Sequence, residues 1–154
     1  MKMSKPKVLF ISSSGGHYEQ LKMLKPLMEK YESKVITERM LSAGKADYYL
    51  LQISHTDKLI LFKLIVDMFQ AICIWIKEKP DYIISTGSMI FLPFALLARI
   101  MKKKIIFIET FAKLDDATMT GAFIYKHKWY DLFIIQWESL RKIYPEAVYG
   151  GSIY

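Results

Sequence analysis

One cysteine, Cys73, is all the sequence contains, so no disulfide framework is available and a reducing compartment is expected. It lies in an apolar helical run, where a small core residue is expected. No secretory leader is expected, because residues 1–7 lead directly into a short apolar strand. A membrane-spanning helix is lacking as well. Such a helix needs ~20 largely uncharged residues, and the best candidate, 59–76, is interrupted by Lys63, Asp67 and Gln70. Internal repeats, low-complexity tracts and interdomain linkers are absent, and 154 residues have no room for a two-domain enzyme, so a single domain over 1–154 is predicted. Neither G-x-G-x-x-G nor a P-loop ending in G-K-[ST] occurs. The basic residues are dispersed and no recognition motif accompanies them, which argues against nucleic acid.

What the chain does have is apolar surface and positive charge. Hydrophobic residues make up 53%, above the usual ~45–50%, which leaves apolar surface for a membrane or a partner. Twenty-two Lys and Arg against fifteen Asp and Glu give a net charge of +7, favouring anionic partners such as lipid headgroups or diphosphates. The strongest local signal is KVLFISSSGGH at residues 7–17. Val8 to Ile11 form a continuous β-prone run, as expected of a central parallel strand covered on both faces. Gly15 and Gly16 then allow a sharp turn into a helix over 18–31, with Leu21, Leu24, Leu27, Met28 and Tyr31 at helical spacing. Unpaired N–H groups at a glycine-lined helix start suit a phosphate or diphosphate. The same residues also fit a tight turn whose serines cap the helix, with His17 as one more capping side chain.

Further strands are predicted at 34–37, 48–53, 81–85, 105–108 and 132–135, alternating with helices at 57–79, 89–101, 118–128 and 137–144. This alternation predicts an α/β fold, a Rossmann-like parallel sheet with helices on both faces. Ligands of such sheets bind at the carboxyl ends of the strands. That rule gathers Ser13, Ser14, Gly15, Gly16 and His17 with Thr86, Gly87 and Ser88 and with Glu109 and Thr110. Together they predict a site for a phosphorylated ligand, with His17 and Glu109 as its titratable groups. Within 59–76, the polar residues Lys63, Asp67 and Gln70 fall on one narrow helical stripe and leave a wide apolar face that includes Phe62, Ile65, Phe69, Ile72 and Trp75. That face is either extra core or an interfacial surface. Phe62, Phe69 and Trp75, with the basic group Arg99, Lys102, Lys103 and Lys104, are the candidates for contact with a membrane surface or a partner.

Four segments, in order and over nearly the whole chain, resemble a known family: SSSGGH at 12–17, ISTGSMIFLP at 84–93, FIETFAKLDDATMTGAFIY at 107–125 and DLFIIQWESLRKIYPEAVYGG at 131–151. They resemble the bacterial asparagine-linked-glycosylation-14-like oligosaccharide biosynthesis proteins, acceptor-side subunits of split glycosyltransferases for capsule and exopolysaccharide. The opening loop and the Thr-Gly loop also resemble the N-terminal half of the peptidoglycan lipid-linked N-acetylglucosaminyltransferase, which implies the fold of the N-terminal domain of a GT-B glycosyltransferase. The resemblance implies that a donor-binding subunit is a separate polypeptide and that this chain alone is inactive. It implies a nucleotide sugar as co-substrate, held mainly by the partner, with no other cofactor and no metal in an inverting chemical step. The acceptor is then a polyprenyl-diphosphate-linked sugar at the inner, cytoplasmic face of the cell membrane. His17 is the expected base, since an unperturbed imidazole accepts a proton near neutral pH. Glu109 would orient the acceptor sugar or His17. Ser13, Ser14, Gly15, Gly16, Thr86, Gly87, Ser88 and Thr110 would grip the acceptor and its diphosphate.

Two rivals stand beside this reading. A docking subunit would recruit a partner without contributing chemistry, and differs only at His17 and Glu109. A nucleotide-binding oxidoreductase domain would use Glu38, at the end of the second strand, to hold a ribose; the missing first glycine of the fingerprint argues against it.

Overall fold

The computed structural model describes residues 5–40, 45–53, 56 and 58–154. Among these, strands β1 (Lys7–Ile11), β2 (Glu32–Glu38), β3 (Tyr48–Leu50), β4 (Tyr82–Ser85), β5 (Lys104–Ile108), β6 (Leu132–Ile135) and β7 (Val148–Tyr149) form one sheet. Its order is β3-β2-β1-β4-β5-β6-β7, and every neighbouring pair is parallel. The helices are α1 (Gly16–Met23), α2 (Lys25–Met28), α3 (Ile60–Glu78), α4 (Phe91–Ile100) and α5 (Met119–Lys126), with a 3-10 turn at Glu138–Lys142. The chain winds outward from β1 in one direction and from β4 in the other, so the switch point lies between those two strands.

The alternation of side chains explains why β1 reads as an unbroken apolar run. Val8 and Phe10 pack with Leu21 of α1 and with Ile84 and Ile108 on one face of the sheet. Leu9 and Ile11 face the other side, into the larger core built with α3, α4 and α5 around Phe91, Phe94, Phe107 and Phe133. Both faces of the central strand are thus covered, as parallel sheets require. Rings of Phe107 and Phe133 lie 5.1 Å apart, centroid to centroid, and carry the core outward along β5 and β6.

The amino-terminal edge of the sheet is fixed by a repeated device. An aspartate just ahead of a strand accepts a backbone N–H from the neighbouring strand and also binds a lysine. Asp47 takes Val35 N–H (2.8 Å) and Lys34 (3.0 Å); Asp81 takes Lys7 N–H (3.1 Å) and Lys103 (2.9 Å); Asp131 takes Ile105 N–H (2.9 Å) and Lys104 (2.6 Å). Each pair pins the register of two strands.

Several boundaries depart from the sequence pattern for local reasons. The helix expected over 18–31 is broken after α1, because Pro26 stands at the start of α2, has no N–H to give and cannot continue the preceding turn. The last helix is only the 3-10 turn Glu138–Lys142, and β7 is an added edge strand too short to show periodicity.

The largest correction concerns α3. Its buried residues are Asp67, Ala71, Ile74 and Trp75, so the helix turns its polar stripe inward. Asp67, fully buried, accepts Leu51 N–H at 3.1 Å, and Lys63 Nζ donates to the Gln52 carbonyl at 3.0 Å. The stripe therefore ties down the segment that follows β3. Burial pushes the Asp67 carboxyl up to about 6, against the smaller opposing influences of Leu51 N–H and Lys63. Leu61, Phe62, Ile65, Phe69 and Ile76 face outward, Phe62 and Phe69 at 62% and 69% exposure. Trp75 does not share that surface: one turn beyond Ala71 and beside Ile74, it is buried on the sheet side. Cys73, expected in the core, is exposed on the outer side.

Candidate active site

The carboxyl ends of the strands enclose a cavity of about 640 Å³ at the switch point. Ser13, Ser14, Gly15 and His17 enter it after β1, Glu38 and Met40 at the end of β2, Gln52 and Ile53 after β3, Gly87, Ser88 and Met89 after β4, and Lys113 with Ala117 to Thr120 after β5. The opening loop owes its shape to Gly15, whose φ of 74° and ψ of −139° suit glycine alone. No side chain caps α1, so the serines are not the cap that a plain turn would use. Ser14 Oγ instead lies between Glu38 Oε2, at 3.4 Å, and the Met40 sulfur. The start of α1 thus keeps donor groups beside the cavity without a side-chain acceptor.

His17 is held in one orientation by β4. Its Nδ1 lies 2.8 Å from the Thr86 carbonyl oxygen, and Thr86 Oγ1 donates to the His17 carbonyl at 2.8 Å. A carbonyl only accepts, so Nδ1 carries the hydrogen of the neutral ring and Nε2 keeps its lone pair. Gly87 makes room for this arrangement: a Cβ there would stand 2.9 Å from the ring Cε1, and its φ is +104°. Thr86 is fully buried and engaged with His17, while Ser88 lines the cavity and accepts Ile90 N–H at 3.2 Å.

Glu109 and Thr110, expected beside the other strand-end residues, do not line the cavity. Glu109 is fully buried and outside the cavity wall; it accepts Thr110 N–H (2.9 Å), Thr118 Oγ1–H (2.9 Å) and Tyr144 O–H (2.7 Å). Gly121 lets α5 close over this carboxylate, since a Cβ there would sit 2.1 Å from Oε2. Burial, and after it the negative neighbour Glu109, push the Tyr144 hydroxyl upward. Thr110 Oγ1 accepts from Gln20 Nε2 at 3.0 Å, and Gln20 Oε1 accepts both Phe111 N–H (3.1 Å) and Gln136 Nε2–H (2.9 Å). These bonds hold the loop after β5 as a fixed wall, with Glu109 and Thr110 both engaged inside the protein. Of the expected surface cations, Lys103 and Lys104 are engaged by Asp81 and Asp131, while Arg99 and Lys102 carry no ion pair among the described residues.

Cavity residues outside the expected set include Gln52, Lys113, Thr118 and Thr120, and Glu38 stands among them. The carboxyl-end rule reaches Glu38, since β2 ends on it, and the sequence offers it only as the ribose ligand of the oxidoreductase alternative. The others depend on how the loop after β5 folds back, which no local spacing encodes.

This is a doubly wound α/β domain with a cavity at its topological switch point and an oriented histidine on the cavity wall. The family profile described as "Oligosaccharide biosynthesis protein Alg14 like" matches residues 52–153, and the chain belongs to that family. It is similar to the UDP-N-acetylglucosamine transferase subunit ALG14 of Homo sapiens, 24% identical over 95% of this chain and 82% of the relative. The subunit of the same name from Yarrowia lipolytica is 28% identical over 99% of this chain and 83% of the relative. Among solved structures it resembles Acinetobacter baumannii MurG (TM-score 0.66, 16% identity, 87% of this chain and 42% of that one). UDP-N-acetylglucosamine 2-epimerase from Rickettsia bellii gives a TM-score of 0.69 at 17% identity, over 90% of this chain and 40% of that one. At these identities the two structures establish the fold, and the chain spans about two-fifths of the length of each.

Proposed function

We propose that the chain is the acceptor-binding subunit of a two-chain, inverting GT-B glycosyltransferase, of the bacterial capsule or exopolysaccharide type, whose donor-binding half is a separate polypeptide. The acceptor is a sugar on a polyprenyl diphosphate, and the donor a nucleotide sugar held mainly by the partner. The observation that carries this reading is the fixed tautomer of His17 beside an uncapped, glycine-lined helix start. Nε2 takes the proton of an acceptor hydroxyl as its oxygen attacks the anomeric carbon from the face opposite the leaving group. The new C–O bond forms while the bond to the nucleotide diphosphate breaks, and the electron pair leaves with that diphosphate. The proposed step uses a protein base and calls on no metal or further cofactor. Gly15, Gly16 and the start of α1 receive the acceptor diphosphate.

A polyprenyl acceptor requires work at a bilayer surface, at the cytoplasmic face in this reading. No described helix is long and apolar enough to cross a membrane. Peripheral contact through the outward face of α3, aided by Arg99 and Lys102, meets the requirement. The test is transfer from a panel of nucleotide sugars to a lipid-diphosphate sugar, by this chain with and without its donor-binding partner. Transfer by the pair alone is expected, and robust turnover by the purified chain overturns the division of labour. A second reading, a docking subunit without chemistry, draws support from the internal engagement of Glu109; full activity of a His17→Ala pair would establish it.

A further inference from the structure

The cavity contains a carboxyl group to which the reaction above gives no task. Glu38 ends β2 at the cavity wall and is only 5% exposed. Among the described residues, the groups acting on it are the N–H and hydroxyl of Ser14, the Ile53 N–H and, through space, the carboxyl of Asp67, and none of these is a cation. The nearest candidate by position, Lys113 on the wall after β5, reaches Asp116 at 3.9 Å. A buried carboxylate without a cation is costly. It is sustained here at the mouth of a ligand cavity rather than inside a core.

Its chemistry restricts what it can meet. A carboxylate is an acceptor only, so it repels phosphate and seeks donors. The cavity therefore carries two kinds of group side by side, N–H donors at Gly15 and the start of α1 and an acceptor at Glu38, which Ser14 joins to that loop. A glycosyl diphosphate matches both, with phosphates for the donors and, next to them, a ring of hydroxyls for the carboxyl. We propose that Glu38, with Ser14 beside it, is the subsite that binds adjacent ring hydroxyls of the acceptor sugar and so selects which sugar is extended. This inference rests on the acceptor-binding reading and adds a specificity residue to it.

The experiment uses the complete pair of subunits and a short-chain N-acetylglucosaminyl diphosphate lipid, together with analogues that each lack one ring hydroxyl. Charge-assisted hydrogen bonds of this kind predict that Glu38→Gln raises the KM for the acceptor roughly 10- to 100-fold. The kcat and the KM for the nucleotide sugar stay within about threefold, because the base is untouched. At least one deoxy analogue loses as much with the native pair and loses nothing further with Glu38→Gln, the signature of a direct contact. An unmoved acceptor KM, or losses that simply multiply for every analogue, overturns the subsite while leaving the transfer reading intact. Absence of any transfer by the native pair overturns the transfer reading instead. In that case calorimetry of the same lipid with the native chain and with Glu38→Gln decides the subsite: weaker binding by the variant supports it, and equal binding removes it.

A structural role is distinguished by stability. Burial holds the Glu38 carboxyl above its ordinary range, so its ionised form weakens the fold at neutral pH. Glu38→Gln is expected to raise the melting temperature at pH 7.5, with the gain fading as the pH approaches 4. A lowered melting temperature at pH 7.5 makes Glu38 a structural group and overturns the proposal.

Discussion

The two edges of the sheet treat carboxyl groups in opposite ways. At the amino edge, the Asp81 carboxyl is held below its ordinary range by Lys103 and then by Lys7 N–H. For Asp131, burial is the largest single influence and acts upward, yet Lys104, Ile105 N–H and Arg99 together outweigh it and bring the group down. At the carboxyl edge, Glu38 is pushed up by burial, with no cation among the described residues that act on it, and Asp67 is pushed up as well, against the smaller influence of Lys63. Residues of one chemical kind thus sit in lysine pairs that fix strand register at one edge and, at the other, are raised by a burial that their hydrogen-bond donors do not offset.

This contrast can be broken at either edge, beginning with the largest effect. A base in the transition state is worth roughly 10²–10⁴ in rate, so His17→Ala should cut transfer by the paired subunits by that factor while co-purification of the two chains persists. A loss of only a few-fold would reduce the carboxyl edge to a binding surface. Next in size is Asp67→Asn, which keeps an acceptor for Leu51 N–H but removes the buried charge. Because the native pKa is raised, the folded state binds the proton more tightly than the unfolded one, and native stability falls as pH rises from about 4 to about 6 and then levels off. The variant should therefore gain on the order of 2–3 kcal/mol at pH 7.5 and nothing below pH 4, read by urea denaturation at both values. A loss at pH 7.5 would mean that the carboxyl edge is also built for stability.

Gly87→Ala sets a side chain against the His17 ring and strains a positive φ. About 1–3 kcal/mol of stability should be lost, and the pair should lose activity beyond what its folded fraction explains. On the opposite edge, Asp131→Asn should cost about 1 kcal/mol or less, since the pair is partly solvated. Its pKa is depressed, so this contribution is present above about pH 4 and disappears as the pH falls through the native pKa. The smallest effect separates the lysines. Neutralising Arg99 or Lys102 should weaken binding to anionic vesicles at low salt by about 1 kcal/mol each. Neutralising the paired Lys103 or Lys104 should change it less; equal effects from all four would mean that the carboxylate partners do not hold them.

The alternation of strands and helices could be read from the sequence because β1, β4, β5 and β6 are apolar on both faces and turns follow them closely, whereas the order of the strands rests on pairings between distant segments. His17 could be read because the glycines that position it are its immediate neighbours. Glu109 could not be placed, since its partners Thr118 and Tyr144 lie 9 and 35 residues away and only the fold brings them together. Helix α3 misleads for a different reason. Helical periodicity identifies two faces but does not say which one is inside, and the usual assumption that the apolar face packs fails when polar side chains are needed to hold a neighbouring loop. Lys102 to Lys104 read as one basic run, yet Lys104 begins β5, Lys103 stands just ahead of it, and both meet aspartates at the amino edge of the sheet.

The outward side of α3 also carries the chain's lone thiol. Cys73 is exposed one turn beyond Phe69 and one turn before Ile76, so a maleimide dye sensitive to polarity can be attached at one defined point without engineering the sequence. Its emission would shift to the blue when a bilayer covers that face, and iodide or a lipid-borne spin label would quench it according to depth. The native protein thus comes with a built-in optical gauge for the surface that its helix leaves bare.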